Sequence, residues 1–542
     1  MITLQNILSN FTTSRVCPEI IVNGISVSST TVNPGDVFLA AKGSSVDGVD
    51  YIDEAKSRGA SAIIADWDGD SKTTQKFYEH QEKLDVPIIG VIGLTQNISH
   101  LAGRFYSEPS KKINVMAVTG TNGKTTCAQL YRQLINKLFE RENVLGKCGY
   151  IGTLGAKLSC DEEDNDYSNS DLNLTTPDAA SLQKYLYQFS SSNYKHVALE
   201  ASSHGLDQYR LSGVEIDTAI FTNLSRDHLD YHATMQDYAA SKMKLFKEHK
   251  IRFAVVNIDD DYGRKIYASL EPSIEAISYS LSNLTADIHC KNFELVADGI
   301  IADVVTPWGM IKVNSSLLGK FNLYNLLAVI SAYMISLSNQ NQDDLDLVSE
   351  IIPHLKAPLG RMEVISNYEN GGPRVIIDYA HTPDALENSL VALRSHCRQS
   401  LWVVFGCGGD RDKGKRSQMG QIAEKYADHI ILTNDNPRTE SQERIIEDVK
   451  QNLIGAVEVE YDRSSAISLA ITSAESSDTV IIAGKGHENY QLIGSERYFF
   501  SDKLKAQEML RKTFPNKDPS RSLASCQVLV WQLRQNVLVG QY

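Results

Sequence analysis

The feature that most limits what this chain can fold into is Gly120-Thr121-Asn122-Gly123-Lys124-Thr125-Thr126, set between the apolar run Val115-Met116-Ala117-Val118 and a helical stretch. Glycines let a backbone wrap closely around phosphate oxygens, a helix N-terminus aims free N–H groups at them, and a lysine adds a point charge. Strand, loop and helix in that order read as a phosphate-binding loop, with Lys124 on the phosphates and the Thr125 hydroxyl placed to ligate Mg²⁺. The spacing departs from G-x-x-x-x-G-K-[ST], because Val118 stands where the first glycine should be. Elsewhere, short β-branched runs alternate with amphipathic stretches, as at Ile113 to Thr119 followed by Cys127 to Phe139. This alternation predicts an α/β protein with mainly parallel sheets.

A chain of 542 residues is too long for one core and predicts three domains. Boundaries are expected at Pro109-Ser110-Lys111-Lys112 and between Pro353 and Pro358, giving domains 1–110, 111–355 and 356–514 and an extension 515–542. The extension carries an apolar segment, Val528 to Leu533, to which no chemistry is assigned. A net charge of -14 argues against nucleic-acid binding, which needs a basic face. Eight cysteines without a C-x-x-C pair fit neither a zinc site nor a disulfide framework. With no basic, apolar leader at the N-terminus and no long uncharged apolar stretch, a soluble cytoplasmic protein with no membrane span is expected. The acidic run Asp161 to Asp166 lacks the glycine and distal glutamate of a calcium loop and reads as a surface loop.

Two further strings follow apolar runs and should therefore sit at strand ends, where open α/β sheets bind ligands. They are Glu200-Ala201-Ser202-Ser203-His204-Gly205 and Thr222-Asn223-Leu224-Ser225-Arg226-Asp227-His228-Leu229-Asp230-Tyr231-His232. Glu200 is the candidate carboxylate for a nucleotide metal, since Mg²⁺ prefers hard oxygen ligands. Beyond them lie Tyr238 to Phe246, the string Leu318-Gly319-Lys320-Phe321-Asn322-Leu323-Tyr324-Asn325, Gly360-Arg361-Met362-Glu363 and Asp378 to Asp384. Asn322 also reads as a helix N-cap. The cluster Phe405 to Arg416 lacks the G-x-G-x-x-G spacing of a dinucleotide fingerprint.

In this order the strings resemble the Mur ligases, ATP-dependent amide-bond ligases of cell-wall synthesis, and the resemblance covers roughly residues 20 to 514. It implies a central P-loop ATPase domain flanked by an N-terminal UDP-substrate-binding domain and a C-terminal Rossmann-like domain that binds an amino acid. ATP would be held by Gly120 to Thr126 and by Asn325, an amide offering donor and acceptor to the adenine edge. The resemblance makes Glu200 and His228 metal ligands beside Thr125. It also makes Lys242 of Tyr238-Ala239-Ala240-Ser241-Lys242 a carbamylated lysine (N6-carboxylysine), an anionic ligand for a second Mg²⁺. Lys124, His228 and Lys242 would be the catalytic set. Ser29, Thr175, Thr176, Ser202, Gln208 and Arg210 are assigned to the nucleotide-sugar peptide. The family's D-S-R string appears here as Ser28-Ser29-Thr30, keeping only the serine.

Which amino acid is added turns on Asp435-Asn436-Pro437-Arg438, after the strand Ile430 to Thr433. Diaminopimelate differs from lysine by a second carboxylate, and an arginine fork pairs a carboxylate bidentately. In the family, D-N-P-R goes with diaminopimelate. Asp435, Asn436 and Arg438, together with Arg411 and with Gly484 and Glu488 of Gly484-Lys485-Gly486-His487-Glu488, are the expected contacts. The implied enzyme is a monomer acting on small molecules: ATP, UDP-N-acetylmuramoyl-L-alanyl-D-glutamate and meso-diaminopimelate. A ligase adding lysine or another amine, and a catalytically silent scaffold, stay open as alternatives.

Overall fold

The computed structural model describes residues 2–11, 19–43, 46–67, 85–157 and 174–515. The acidic run 161–166 and the apolar segment 528–533 lie outside the described residues. Two compact units emerge: everything before Glu294 with Ile301–Ser315 and Phe321–Leu355, and Glu294–Ile300 with Ser316–Lys320 and everything from Lys356. No helix among the described residues is long and apolar enough to cross a membrane.

Besides the short antiparallel pair Ile2–Thr3 and Ile21–Val22, two sheets build the first unit. The smaller joins β1 (Gly24–Ser26), β2 (Asp36–Ala40), β3 (Ala62–Asp66) and β4 (Ile88–Val91) in that order, all parallel. Its strands are buried on both faces: Val37, Leu39, Ile64 and Ile89 meet one cluster, while Phe38, Ile63 and Ile88 meet another. Strands covered on both sides read as continuous apolar runs, as these do.

The larger sheet contains β5 (Asn114–Thr119), β6 (Lys147–Gly152), β7 (Gly155–Lys157), β8 (Tyr194–Glu200), β9 (Ile216–Phe221), β10 (Ile251–Asn257), β11 (Glu275–Ser280), β12 (Ile288–Val296), β13 (Gly299–Thr306) and β14 (Gly309–Ser315). Their spatial order is β14-β13-β12-β11-β10-β9-β5-β8-β6-β7. Parallel pairing puts Glu200 beside Val118 and Phe221 beside Thr119, so three neighbouring strands end at the same level. Val118 is therefore a strand residue, and the phosphate loop starts one step later than in the longer motif. Helix Lys124–Glu142 leaves that loop, its apolar positions buried beside β6 and β8. Helix Lys320–Ser336 is buried on every side, including Asn322 and Asn325. The expectation that Asn322 caps this helix fails: the helix starts two residues earlier, and the Asn322 carboxamide accepts from Asn325 Nδ2 at 3.0 Å inside the first turn.

The second unit holds a six-stranded sheet of β15 (Glu363–Ser366), β16 (Arg374–Asp378), β17 (Leu401–Phe405), β18 (His429–Leu432), β19 (Glu458–Val459) and β20 (Thr479–Ala483). The order is β15-β16-β20-β17-β18-β19, with only β15 antiparallel. Placing β20 between β16 and β17 brings Asp378, Ala483 and Phe405 to one edge, although they lie far apart in sequence.

Candidate active site

Gly120 and Gly123 take φ of 153° and 87°, in the region that favours glycine. A Cβ on Gly120 would lie 1.9 Å from Thr222 Oγ1, so the loop can close only without a side chain there. The turn is braced from the end of β9: Asn223 O accepts from the Thr121 amide at 2.8 Å, Asn223 Oδ1 from the Asn122 amide at 2.9 Å, and Thr222 Oγ1 donates to Asn122 O at 2.6 Å. Lys124 folds over its own loop and donates from Nζ to Gly120 O and Thr121 O, each at 2.9 Å.

Glu200 ends β8 fully buried, which would be costly for a carboxylate without donors. Tyr150 and the Thr153 amide donate to Oε1 at 2.5 and 3.0 Å, and the Thr125 and Thr153 hydroxyls donate to Oε2 at 3.0 and 3.1 Å. The Thr125–Glu200 contact joins the loop hydroxyl to the strand-end carboxylate, an oxygen pair that fits Mg²⁺. Among the described residues no three His, Cys, Asp or Glu side chains converge as a cation cage. Tyr150 and Thr153 carried no motif and were missed in the sequence; nothing short of the fold could have paired them with Glu200.

Lys242 lies on helix Met235–Lys247, buried, with Nζ 2.7 Å from Gly120 O and 4.4 Å above the Tyr238 ring. Burial, and then Lys124, hold its pKa well below the ordinary lysine value, which favours the neutral amine that can attack carbon dioxide. A carbamate keeps one N–H, so the bond to Gly120 O can survive. The neighbouring Lys244 instead pairs with Asp207 at 2.8 Å. His228 is half exposed at φ 51°, edge-on to Tyr238 with ring centroids 6.0 Å apart. Partial burial, opposed by Asp227 and helped by Lys124, lowers its pKa and keeps the imidazole neutral, the form that binds metals.

Five of the six residues assigned to the nucleotide-sugar peptide form one network. Arg210 donates to Thr176 O at 2.5 Å and to Gln208 Oε1 at 2.6 Å; Thr176 donates to Ser202 Oγ at 3.0 Å; Thr175 accepts from Thr153 at 3.2 Å. Thr176 is fully buried and ties Glu200 O to this group, so it acts from behind the surface. Ser29 stands apart on a single 3-10 turn, Ser29–Thr31, between β1 and β2, donating to Glu54 at 2.8 Å. Asn325 is nearly buried against the phosphate loop: Gly123 would carry a Cβ 2.6 Å from its Oδ1, and Cys127 Sγ approaches that oxygen at 3.4 Å.

In the second unit, Asp435, Asn436 and Arg438 follow β18 and the Gly484 to Glu488 string follows β20. Asn436 Nδ2 donates to Glu488 at 3.3 Å. Arg438, at φ 52°, spends Nη1 on Gly409 O at 2.9 Å, which ties it to the loop carrying the exposed Arg411. Two cations that sequence reasoning gave no role lie beneath: Lys485, and Arg463 paired bidentately with Asp502 at 2.7 Å, with both side chains fully buried. Arg463 also donates to Asn434 O at 3.3 Å and Ala483 O at 2.9 Å, the residues preceding Asp435 and Gly484.

Models of the Mur ligase catalytic, middle and glutamate ligase domains match residues 21–106, 118–333 and 360–486. A UDP-N-acetylmuramoyl-L-alanyl-D-glutamate--2,6-diaminopimelate ligase of Pseudomonas putida is 41% identical over 499 residues, 90% of this chain and 95% of that protein. The chain belongs to the Mur ligase family. A ligase of the same description from Pseudomonas aeruginosa is 42% identical over 494 residues, 91% of this Mur ligase and 96% of its relative. A solved structure described in the same terms superposes with a TM-score of 0.65 at 32% identity, covering 94% of this Mur ligase and 99% of that chain.

Proposed function

We propose that this Mur ligase joins meso-2,6-diaminopimelate to the D-glutamate side-chain carboxylate of UDP-N-acetylmuramoyl-L-alanyl-D-glutamate, at the expense of ATP. The observation that carries the reading is the convergence of three adjacent strand ends on one phosphate loop, with Thr125 and Glu200 3.0 Å apart and buried Lys242 on Gly120 O. The γ-phosphoryl group passes to the glutamate carboxylate, giving an acyl phosphate and ADP. The diaminopimelate amine then attacks the acyl carbon, the C–O bond to phosphate breaks, and the amine loses a proton.

Lys124 leaves its loop carbonyls for the phosphates, and the loop amides after Gly120 orient them; positioning and charge stabilisation carry most of such a reaction. Thr125 and Glu200 would hold one Mg²⁺ and His228 with carbamylated Lys242 a second, which when bound neutralises charge on the transferring phosphoryl group. Arg210 supplies a guanidinium for an anionic group of the nucleotide-sugar peptide. Arg438 selects the second carboxylate of diaminopimelate, and Glu488 accepts from an ammonium of the same substrate. We further assign the three domains to 1–110, 111–355 and 356–514 and place the enzyme in the cytoplasm, where its nucleotide substrates are.

The test is phosphate release from ATP with the UDP-muramoyl dipeptide and a panel of amino acids. Turnover that needs the dipeptide and is fastest with diaminopimelate supports the reading. Preference for lysine, or no turnover with any amine, overturns it.

A further inference from the structure

Lys485 lies between two glycines, Gly484 and Gly486, both at positive φ (116° and 54°). The two left-handed turns direct its side chain into the protein, where it is fully buried. A Cβ on Gly486 would stand 2.8 Å from Gly360 O and from Tyr379 Cβ, so no bulkier residue fits that turn. Lys485 Nζ reaches Asn436 Oδ1 at 3.1 Å, Asp435 Oδ1 at 3.2 Å and Glu488 Oε2 at 3.4 Å. These are three of the six residues that the sequence reading expects to contact the incoming amino acid. They come from two strand ends that only the sheet order brings together.

Charge decides what this lysine does. One ammonium faces two carboxylates, Asp435 and Glu488, so the group carries one uncompensated negative charge before substrate arrives. Arg463 does not change that balance, because Asp502 neutralises it side-on. An entering substrate ammonium supplies the missing charge. Burial holds the Glu488 carboxyl above its ordinary value; Lys485 opposes that rise and Asp435 adds to it. The titratable or charged groups facing Glu488 are Lys485, Asp435, Tyr379, Tyr490 and Arg463.

We propose that Lys485 is the positioning residue of the amino-acid site: it holds Asp435, Asn436 and Glu488 in one arrangement and keeps Glu488 ionised to receive the substrate ammonium. The proposal rests on the amino-acid-ligase reading above. Lys485 touches no substrate itself. Its removal leaves two neighbouring carboxylates, which bind a proton more readily than either alone.

The experiment compares the parent enzyme with Lys485→Met and Lys485→Arg in steady-state phosphate release, across pH. The parent is first assayed with the amino-acid panel, and the amino acid it consumes fastest is used throughout. A wrong substrate assignment then shows in the parent, and a wrong role for Lys485 shows only in the variants. For Lys485→Met the amino-acid KM should rise at least about tenfold. Its ATP KM should stay within about twofold, and the acidic limb of kcat/KM should move up by about one pH unit. Lys485→Arg keeps the cation, so its acidic limb should stay with the parent while the amino-acid KM rises. Should Lys485→Met fail to fold, Lys485→Arg decides: an unchanged KM, or a limb that moves without loss of charge, overturns the proposal. An equal rise in all three substrate KM values for Lys485→Met also overturns it, because that marks a structural lysine.

Discussion

Arg438→Ala tests substrate identity at a single guanidinium. Both residues carry a Cβ, so the φ of 52° is equally unfavourable before and after the change, and backbone strain drops out of the comparison. Arg438 spends Nη1 on Gly409 O, leaving the Nε–Nη2 edge for a carboxylate. Truncation therefore removes one charge-assisted bond to the loop, worth about 1.5 kcal/mol or more, and the fork offered to the substrate. Losing one partner of a buried charge pair costs about 2 to 5 kcal/mol. Arg438 is only partly buried, so the lower end applies, about 2 kcal/mol or roughly thirtyfold in affinity. Steady-state kinetics with diaminopimelate and lysine on parent and variant read this directly. The diaminopimelate KM should rise by about that factor, ATP and dipeptide KM values should hold, and lysine should gain relative to diaminopimelate. A variant that prefers diaminopimelate as strongly as its parent would refute the reasoning, because Arg438 would then serve only to fasten the 406–411 loop.

Three other outcomes are expected. Lys124→Ala should lower kcat about 10²-fold or more with unchanged unfolding behaviour, since the side chain lies over a loop and not in a core; normal turnover would remove it from the phosphate site. Lys242→Ala should lose activity and regain part of it with added short-chain acids, whereas Lys244→Ala, whose partner is Asp207, should stay active; the reverse pattern would place the carbamate on the wrong lysine. Asp502→Ala strands the buried Arg463 and should cost about 3 to 5 kcal/mol of stability in urea unfolding, while a loss below about 1 kcal/mol would show that water or another group can serve that guanidinium.

Local chemistry was legible wherever one short string contains everything its task needs. The loop from Gly120 to Thr126 is such a case: the glycines, the lysine and the hydroxyl are consecutive, and an apolar strand precedes them. Glu200 at a strand end and the Arg438 fork were also visible, because strand ends and side-chain types can be read without coordinates. Asn322 was misread because an N-cap depends on where a helix starts, and this helix starts at Lys320, three residues before the Leu323 that such a cap would put first.

The sequence by itself determined the kinds of chemistry available: an α/β chain with a phosphate loop, hard oxygen ligands and an arginine fork. Only the tertiary structure decided which groups share a site. The order β9-β5-β8 sets Thr222 and Glu200 on either side of the phosphate loop, and Tyr150 and Thr153 reach Glu200 from a strand some 50 residues away. In the same way, β20 inserted between β16 and β17 brings Lys485 onto Asp435 and Asn436. Strand pairing is set by burial summed over whole faces, and no short motif records that sum; a lysine such as Lys485 reads as solvent-facing until the two turns around it are known to point inward.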